Sequence, residues 1–259
     1  MSFEAAAVAR ALDAAKRERR KVGPLDPAIA PRTLAEGAAA QRALAGLWGA
    51  VPPGGFKVGA TGPKMRAYLG LDAPVAGFMR AEDIWPSGTR RRHGDYLVPS
   101  VECEIAVRLA ADLPARPTDA AEAAAAVGAV MAAIELVENR YGDLRELGTP
   151  TLLADRMFHA AAVTGVPMTA WRGLDLVAIE GRISVNGEVR GEGSGGDLLG
   201  HPMNALAWLA GSPEAAAFGG LRAGQVVLLG SVVAPFFLET AGRVVVSFPP
   251  LPEVVLDLD

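Results

Sequence analysis

Alanine and leucine recur at helical spacing between Phe3 and Lys21, and Gly23-Pro24 stops the pattern. The spacing returns from Thr33 to Trp48, where Thr33 can cap the first turn and Glu36 can complete a capping box. The connector GPLDPAIAPR holds three prolines, and GAVPPGG closes the region, so residues 1–50 read as an N-terminal helical region. Beyond it the texture changes. Phe56 to Gly59 reads as a short strand and PKMRAYLG as a short helix. Leu97 to Leu109 contains VECEIAVRL, whose β-branched residues alternate as in a strand. Thr118 to Met131 is alanine-rich and predicts a helix, with Asp119 and Glu122 at its positive end. AAIELVEN after it reads as a buried strand.

The last third is β-rich. Two short strands flank Asn186-Gly187, the strongest local hairpin signal in the chain. HPMNALAWLAG predicts a helix with Pro202 in its first turn. QVVLLGSVV and GRVVVSF predict strands, and Thr240 to Arg243 supply a turn. Helices first and strands later, without βαβ alternation, predict an α+β fold. GEGSGG at 191–196 follows a hairpin, which argues against a dinucleotide site.

The 259 residues are enough for a sizeable core, and 51% of them are hydrophobic, which excludes a disordered chain. A net charge of −4 gives no reason to seek nucleic-acid phosphates. The single cysteine, Cys103, excludes an intrachain disulfide framework and a cysteine-based zinc site. Basic residues at 17–21 follow the first apolar ones, the reverse of a secretory signal, and Gly, Ser and Pro break the longest apolar runs. The expectation is a cytoplasmic protein with no membrane partner.

Chemistry concentrates at Glu102-Cys103-Glu104. In a strand, residues i and i+2 share a face, so both carboxylates project together, opposite Cys103 and Ile105. Two such charges about 4 Å apart repel by roughly 4 kcal/mol at an effective dielectric near 20. Solvent, a basic partner, a shared proton or a cation must offset that. Glu135 lies inside another apolar run and also needs a partner, whereas Glu138 reads as surface. Three glutamates meeting would form an all-oxygen site suited to Mg²⁺ or Mn²⁺, with coordination positions left for substrate and water. The competing reading of the E-x-E pair is the solvated face of an antiparallel sheet.

Six stretches carry a resemblance: FKVGAT (56–61), VPSVECEIAVRLAADL (98–113), AAIELVENR (132–140), VNGEVRGEG (185–193), LLGHPMNALAWLA (198–210) and LRAGQVVLLGSVVAP (221–235). In this order the chain resembles the 2-keto-4-pentenoate hydratase and 4-oxalocrotonate decarboxylase group of the fumarylacetoacetate hydrolase superfamily. The resemblance implies a mixed β-roll over residues 51–259 that binds a divalent metal, within one compact domain overall. It implies that Glu102, Glu104 and Glu135 hold Mg²⁺ or Mn²⁺ and that Lys57 lies beside the substrate. An acidic residue of GFMRAEDIW lines the site, Asp83 by best match or Glu82 in another register, and Asp83 is the candidate proton shuttle. It also implies a small 2-oxo or 2-hydroxy-dienoic acid substrate from aromatic catabolism and a homo-oligomer, with association with a pathway decarboxylase open.

The chain departs from the group at ADRMFHAAAVTG, part of the substrate wall. Asp155 remains, Arg156 replaces an amide, and Phe158-His159 replaces small residues. The Arg156 guanidinium can pair with a second substrate carboxylate, or with Asp155 or another acid as a structural ion pair. Its SFPPLPEVV ending also departs from the group's glycine-rich one. Ser231 can help hold a substrate carboxylate or simply end a strand, and Gln41 stands where the group often has glutamine. His201 reads as a cap or packing residue and His93 as a solvated loop residue. His159 reads as an ordinary core or surface histidine, with proton transfer the alternative. The leading expectation is a metal-dependent hydratase, with decarboxylation of a 2-oxo diacid next. Carbon–carbon hydrolysis ranks lower, because the chain has no histidine before His93 for the His-Glu pair of hydrolytic relatives. The reading from another class is a non-catalytic partner subunit.

Overall fold

The computed structural model describes residues 3–259. Two helices open the chain, α1 (Ala5–Arg17) and α2 (Leu34–Leu47). Then come β1 (Gly55–Gly59), α3 (Pro63–Leu69), β2 (Val75–Met79), β3 (Ile84–Pro86) and β4 (Thr89–Arg91). The long strands β5 (Pro99–Leu109) and β6 (Val127–Glu138) flank α4 (Ala120–Ala125). Short helices α5 (Leu144–Leu147) and α6 (Thr149–Ala154) lead into β7 (His159–Thr164). The hairpin β8 (Glu180–Val185) and β9 (Glu188–Ser194) precedes α7 (Pro202–Ala210) and α8 (Pro213–Ala217). The chain finishes with β10 (Val226–Ser231), β11 (Phe236–Phe237), β12 (Gly242–Phe248) and β13 (Leu251–Leu258).

Local signals set many of these elements. Thr33 Oγ1 accepts the Glu36 N–H at 3.2 Å and Glu36 returns the contact to Thr33 N–H, so α2 starts with the expected capping box. Asn186 (φ 53°) and Gly187 (φ 84°) give the β8–β9 turn the two positive φ values such a hairpin requires. His201 Nδ1 accepts the Met203 N–H at 3.0 Å and caps α7, while His93 is half-buried, its Nε2 2.8 Å from the Leu238 carbonyl.

The helix expected over 118–131 is largely overturned. Asp119 caps α4 through the Glu122 N–H at 2.8 Å, but the helix ends at Ala125. Val127 to Met131 instead begin β6 and pair with β5. Alanine's helical preference is weak per residue, and the ladder to β5 outweighs it.

The larger sheet runs β2-β1-β10-β5-β6-β7-β3 with β11 on β5, and it curves into a half-barrel. A second sheet runs β4-β13-β12-β8-β9. Residues of β5 and β6 alternate between faces. Cys103, Ile105, Ile134 and Leu136 join Val244, Val246, Val254 and Leu256 of the second sheet in the main core. Ala106, Met131 and Ala133 point the other way, into a smaller apolar cluster with Met79, Ala162, Val226 and Leu228. Glu102, Glu104 and Glu135 share that inner face by register. The helices cover the flank: Gln41 on α2 donates to the Ala76 and Leu153 carbonyls and accepts the Phe78 N–H, tying α2 to β2 and α6. No helix of the described residues is long and apolar enough to cross a membrane.

Candidate metal centre

Register creates the site. Glu102 stands directly opposite Glu135, and Glu104, one pleat along, opposite Ala133. Like charges so opposed are unfavourable. One oxygen from each of the three carboxylates lies within 4.8 Å of the others. Glu104 and Glu135 are 0% and 1% exposed, and Glu102 is half-buried.

Each fully buried carboxylate divides its two oxygens. Glu104 Oε2 accepts the Gly230 N–H at 2.8 Å. Gly230 has φ +108°, and a Cβ there would lie 2.6 Å from Thr61, so glycine alone turns this N–H inward at the β10 bulge. Glu135 Oε1 faces His159 Nδ1 at 2.7 Å and Lys57 Nζ at 3.5 Å. The opposite oxygens, Glu104 Oε1 and Glu135 Oε2, are buried with no hydrogen-bond partner among the described residues.

The electrostatics follow. Burial and the charge of Glu135 push the Glu102 carboxyl up to about 8. Burial and both neighbouring glutamates push Glu104 up as well. Burial also opposes ionisation of Glu135, but Lys57 and His159 outweigh it and hold this carboxyl below its usual range. Burial lowers His159 in spite of its acidic partner. Ionised together, the three carboxylates would carry more negative charge than Lys57 offsets, and two of them are pushed toward their protonated forms. Hard oxygen donors, two of them without partners, and no thiolate among them suit a divalent cation such as Mg²⁺ or Mn²⁺.

The remaining expected residues are distributed unevenly. Lys57, buried on β1, joins the carboxylates and donates to the Met157 carbonyl at 2.8 Å. Asp83 does not. Its carboxylate takes two hydrogen bonds from Arg80, at 2.7 and 2.8 Å, and faces Arg156 Nη1 at 3.6 Å. Burial works against its ionisation, yet the Arg80 hydrogen bonds and the Arg156 charge hold it below the usual range. A carboxylate so held keeps its charge at neutral pH. Glu82 points outward and pairs with Arg80.

Arg156 and Asp155 separate from each other. Asp155 accepts Arg140 Nη2 at 2.6 Å on both oxygens and the Tyr141 hydroxyl at 2.7 Å. Arg156 is 1% exposed, with its guanidinium 4.6 Å from the Trp48 ring and 5.2 Å from Phe78. Of the two readings of this arginine, the ion pair within the protein is the one observed, and the partner is Asp83. The Ser231 hydroxyl is taken up by backbone: it accepts the Cys103 and Val233 N–H groups and donates to the Cys103 carbonyl.

Two contributors lie outside the residues that the sequence reading assigned to the site, His159 having been weighed there only as an alternative. His159 was legible as a polar residue opening the apolar strand HAAAVT, but its contact with Glu135 depends on a bulge between β6 and β7. The Gly230 N–H left no signal, because every residue has a backbone and only the bulge aims this one.

The Fumarylacetoacetate (FAA) hydrolase C-terminal family model matches residues 71–256. The chain is 35% identical over 196 residues to a 2-keto-4-pentenoate hydratase of Burkholderia vietnamiensis, covering 73% of this chain and 71% of that one. It is 27% identical over 200 residues to a 4-oxalocrotonate decarboxylase of Pseudomonas putida, covering 77% and 75%. Among solved structures, the 4-oxalocrotonate decarboxylase from Pseudomonas putida G7, complexed with magnesium and adipate, superposes with a TM-score of 0.89. That match covers 98% of this chain and 97% of the other at 23% identity, a likeness of fold.

Proposed function

The chain belongs to the fumarylacetoacetate hydrolase family and is an enzyme, and we propose that it is a divalent-metal-dependent hydratase. Its substrate in this reading is a 2-hydroxy-dienoate or 2-oxo-alkenoate from the breakdown of aromatic compounds, to which it adds water. The observation that carries the reading is the meeting of Glu102, Glu104 and Glu135, two of them with a buried oxygen that has no hydrogen-bond partner among the described residues. In this reading residues 51–259 form the metal-binding catalytic β-roll, behind the helical region 1–50.

The ion, when bound, supplies Lewis-acid stabilisation of negative charge at the substrate's C2 oxygen. Glu102, Glu104 and Glu135 hold it. Lys57, 3.5 Å from Glu135, offers an ammonium group to the substrate carboxylate or to a developing oxyanion. The apolar inner face beneath the carboxylates, with Ala106, Met131 and Leu228, keeps bulk water away. Asp83 and Asp155 are occupied by arginines, so in this reading they support the wall of the site.

Turnover of 2-hydroxypenta-2,4-dienoate with and without EDTA tests the proposal. Turnover that needs a metal supports it, metal-independent turnover rejects the mechanism, and no turnover with metal present rejects this substrate. The decarboxylase relative keeps a second outcome in view, distinguished by NMR as released CO₂ instead of added water. The burial of Arg156 weighs against that outcome, since its guanidinium is stacked within the protein.

A further inference from the structure

We propose that His159 is a positioning residue: it holds one oxygen of Glu135 so that the other is presented to the ion, and a left-handed turn fixes it there. The inference rests on reading the carboxylates as an ion site.

His159 is 4% exposed, and its Nδ1 lies 2.7 Å from Glu135 Oε1. An ionised carboxylate only accepts hydrogen bonds, so the proton sits on Nδ1. Nε2 is buried without a partner among the described residues, so Glu135 is the hydrogen-bonding group that orients the ring. Lys57 Nζ approaches the same Oε1. With Oε1 engaged from two sides, Oε2 is the oxygen left buried without a hydrogen-bond partner among the described residues, in a carboxylate that meets Glu102 and Glu104. An imidazole N–H on a ligand carboxylate is the outer arrangement that orients first ligands, and its loss costs roughly 10- to 100-fold in metal affinity.

The turn before His159 gives the independent support. Arg156, Met157 and Phe158 have φ values of 63°, 49° and 68°, three consecutive non-glycine residues in the left-handed region. L-residues avoid such runs, and they persist only where the surroundings enforce them. The surroundings here are specific. Arg156 is anchored by Trp48, Phe78 and Asp83, and the Phe158 ring meets Tyr141 edge-on at 4.9 Å. The carbonyl of Arg156 accepts the His159 N–H at 3.2 Å, and the carbonyl of Met157 accepts Lys57 Nζ at 2.8 Å. Both groups that meet Glu135 Oε1 are therefore tied to this one turn.

The test is calorimetry of Mn²⁺ binding to the full chain, its His159→Ala variant and its His159→Asn variant. The asparagine amide can stand in for the Nδ1–H donor. The alanine variant is expected to bind Mn²⁺ roughly 10- to 100-fold more weakly, with asparagine recovering most of the loss. Unchanged affinity in the alanine variant overturns the inference, as does an asparagine variant no better than alanine. Should the alanine variant not fold, ¹⁵N NMR of the metal-free parent decides: a proton on Nδ1 supports the inference, and one on Nε2 alone overturns it. A parent chain that takes up no Mn²⁺ removes the ion-site reading and the inference together. Tight binding by the parent with an unchanged alanine variant removes the inference only.

Discussion

Two buried clusters of charge stand side by side in this molecule and are built in opposite ways. In one, each acid is held by arginine: Asp155 by Arg140, and Asp83 by Arg80 and Arg156. The guanidinium nitrogens of Arg156 without hydrogen bonds lie among aromatic rings. On the inner face of the half-barrel, Glu102, Glu104 and Glu135 crowd together with Lys57 as the cation in salt-bridge range of Glu135. In the first cluster every carboxylate is held by arginine, three guanidinium groups on two acids. The second is left open, at a cost to the fold, and that is how a candidate cation site differs from a structural ion pair.

The sharpest way to break this contrast is Glu135→Gln. It should lower kcat/KM by on the order of 10³-fold and abolish measurable Mn²⁺ uptake, since it removes a ligand and part of the charge stabilisation. Steady-state kinetics and calorimetry check both, and a near-normal variant would make the open cluster merely structural. Asp155→Ala should act mainly on stability. It leaves the Arg140 charge and the Tyr141 hydroxyl buried without their acceptor, a loss of about 3–5 kcal/mol by urea denaturation. A smaller loss in metal affinity than in stability is the result that keeps the clusters distinct.

Glu104→Gln is expected to have the opposite sign in the metal-free protein. Removing a carboxylate whose ionised form burial disfavours should raise stability by about 1 kcal/mol, or roughly 2–4 °C in Tm, while activity falls. The same physics sets a pH trend. The Glu102 carboxyl, at about 8 in the fold against 4.5 ordinarily, binds more protons folded than unfolded between those values. Its contribution is fully present below 4.5 and is lost as pH rises through about 8, so metal-free stability should decline across that window. Mn²⁺ should flatten the decline, and thermal melts at several pH values with and without the ion measure it. The smallest effect belongs to Ser231→Ala, which loses backbone hydrogen bonds worth about 1 kcal/mol and should leave kcat within a few-fold.

The carboxylates are legible in the sequence as candidates because two signals coincide: acids at i and i+2 in an apolar strand, and a third acid inside another apolar run. The pattern alone left a solvated sheet face as the competing reading, and the resemblance carried by six stretches of the chain supplied the metal reading. Asp83 shows the limit of the same local reasoning. GFMRAEDIW offers an acid in an expected place, but nothing in it says that Arg156, 73 positions on, arrives to neutralise the charge. The alanine run at 118–131 misled differently, because propensity favoured a helix where β5 offered a ladder.

By itself the sequence determined the α+β class and the candidate carboxylates, since period, capping, turn chemistry and residue spacing act within a few residues. Tertiary structure decided which charges are satisfied. The register of β5 on β6 opposes Glu102 to Glu135, a bulge aims the Gly230 N–H, and a left-handed turn delivers Lys57 and His159 to a single oxygen. Those are contacts between residues far apart in the chain. Their energies depend on distance and burial in the folded state, which no short stretch of sequence encodes.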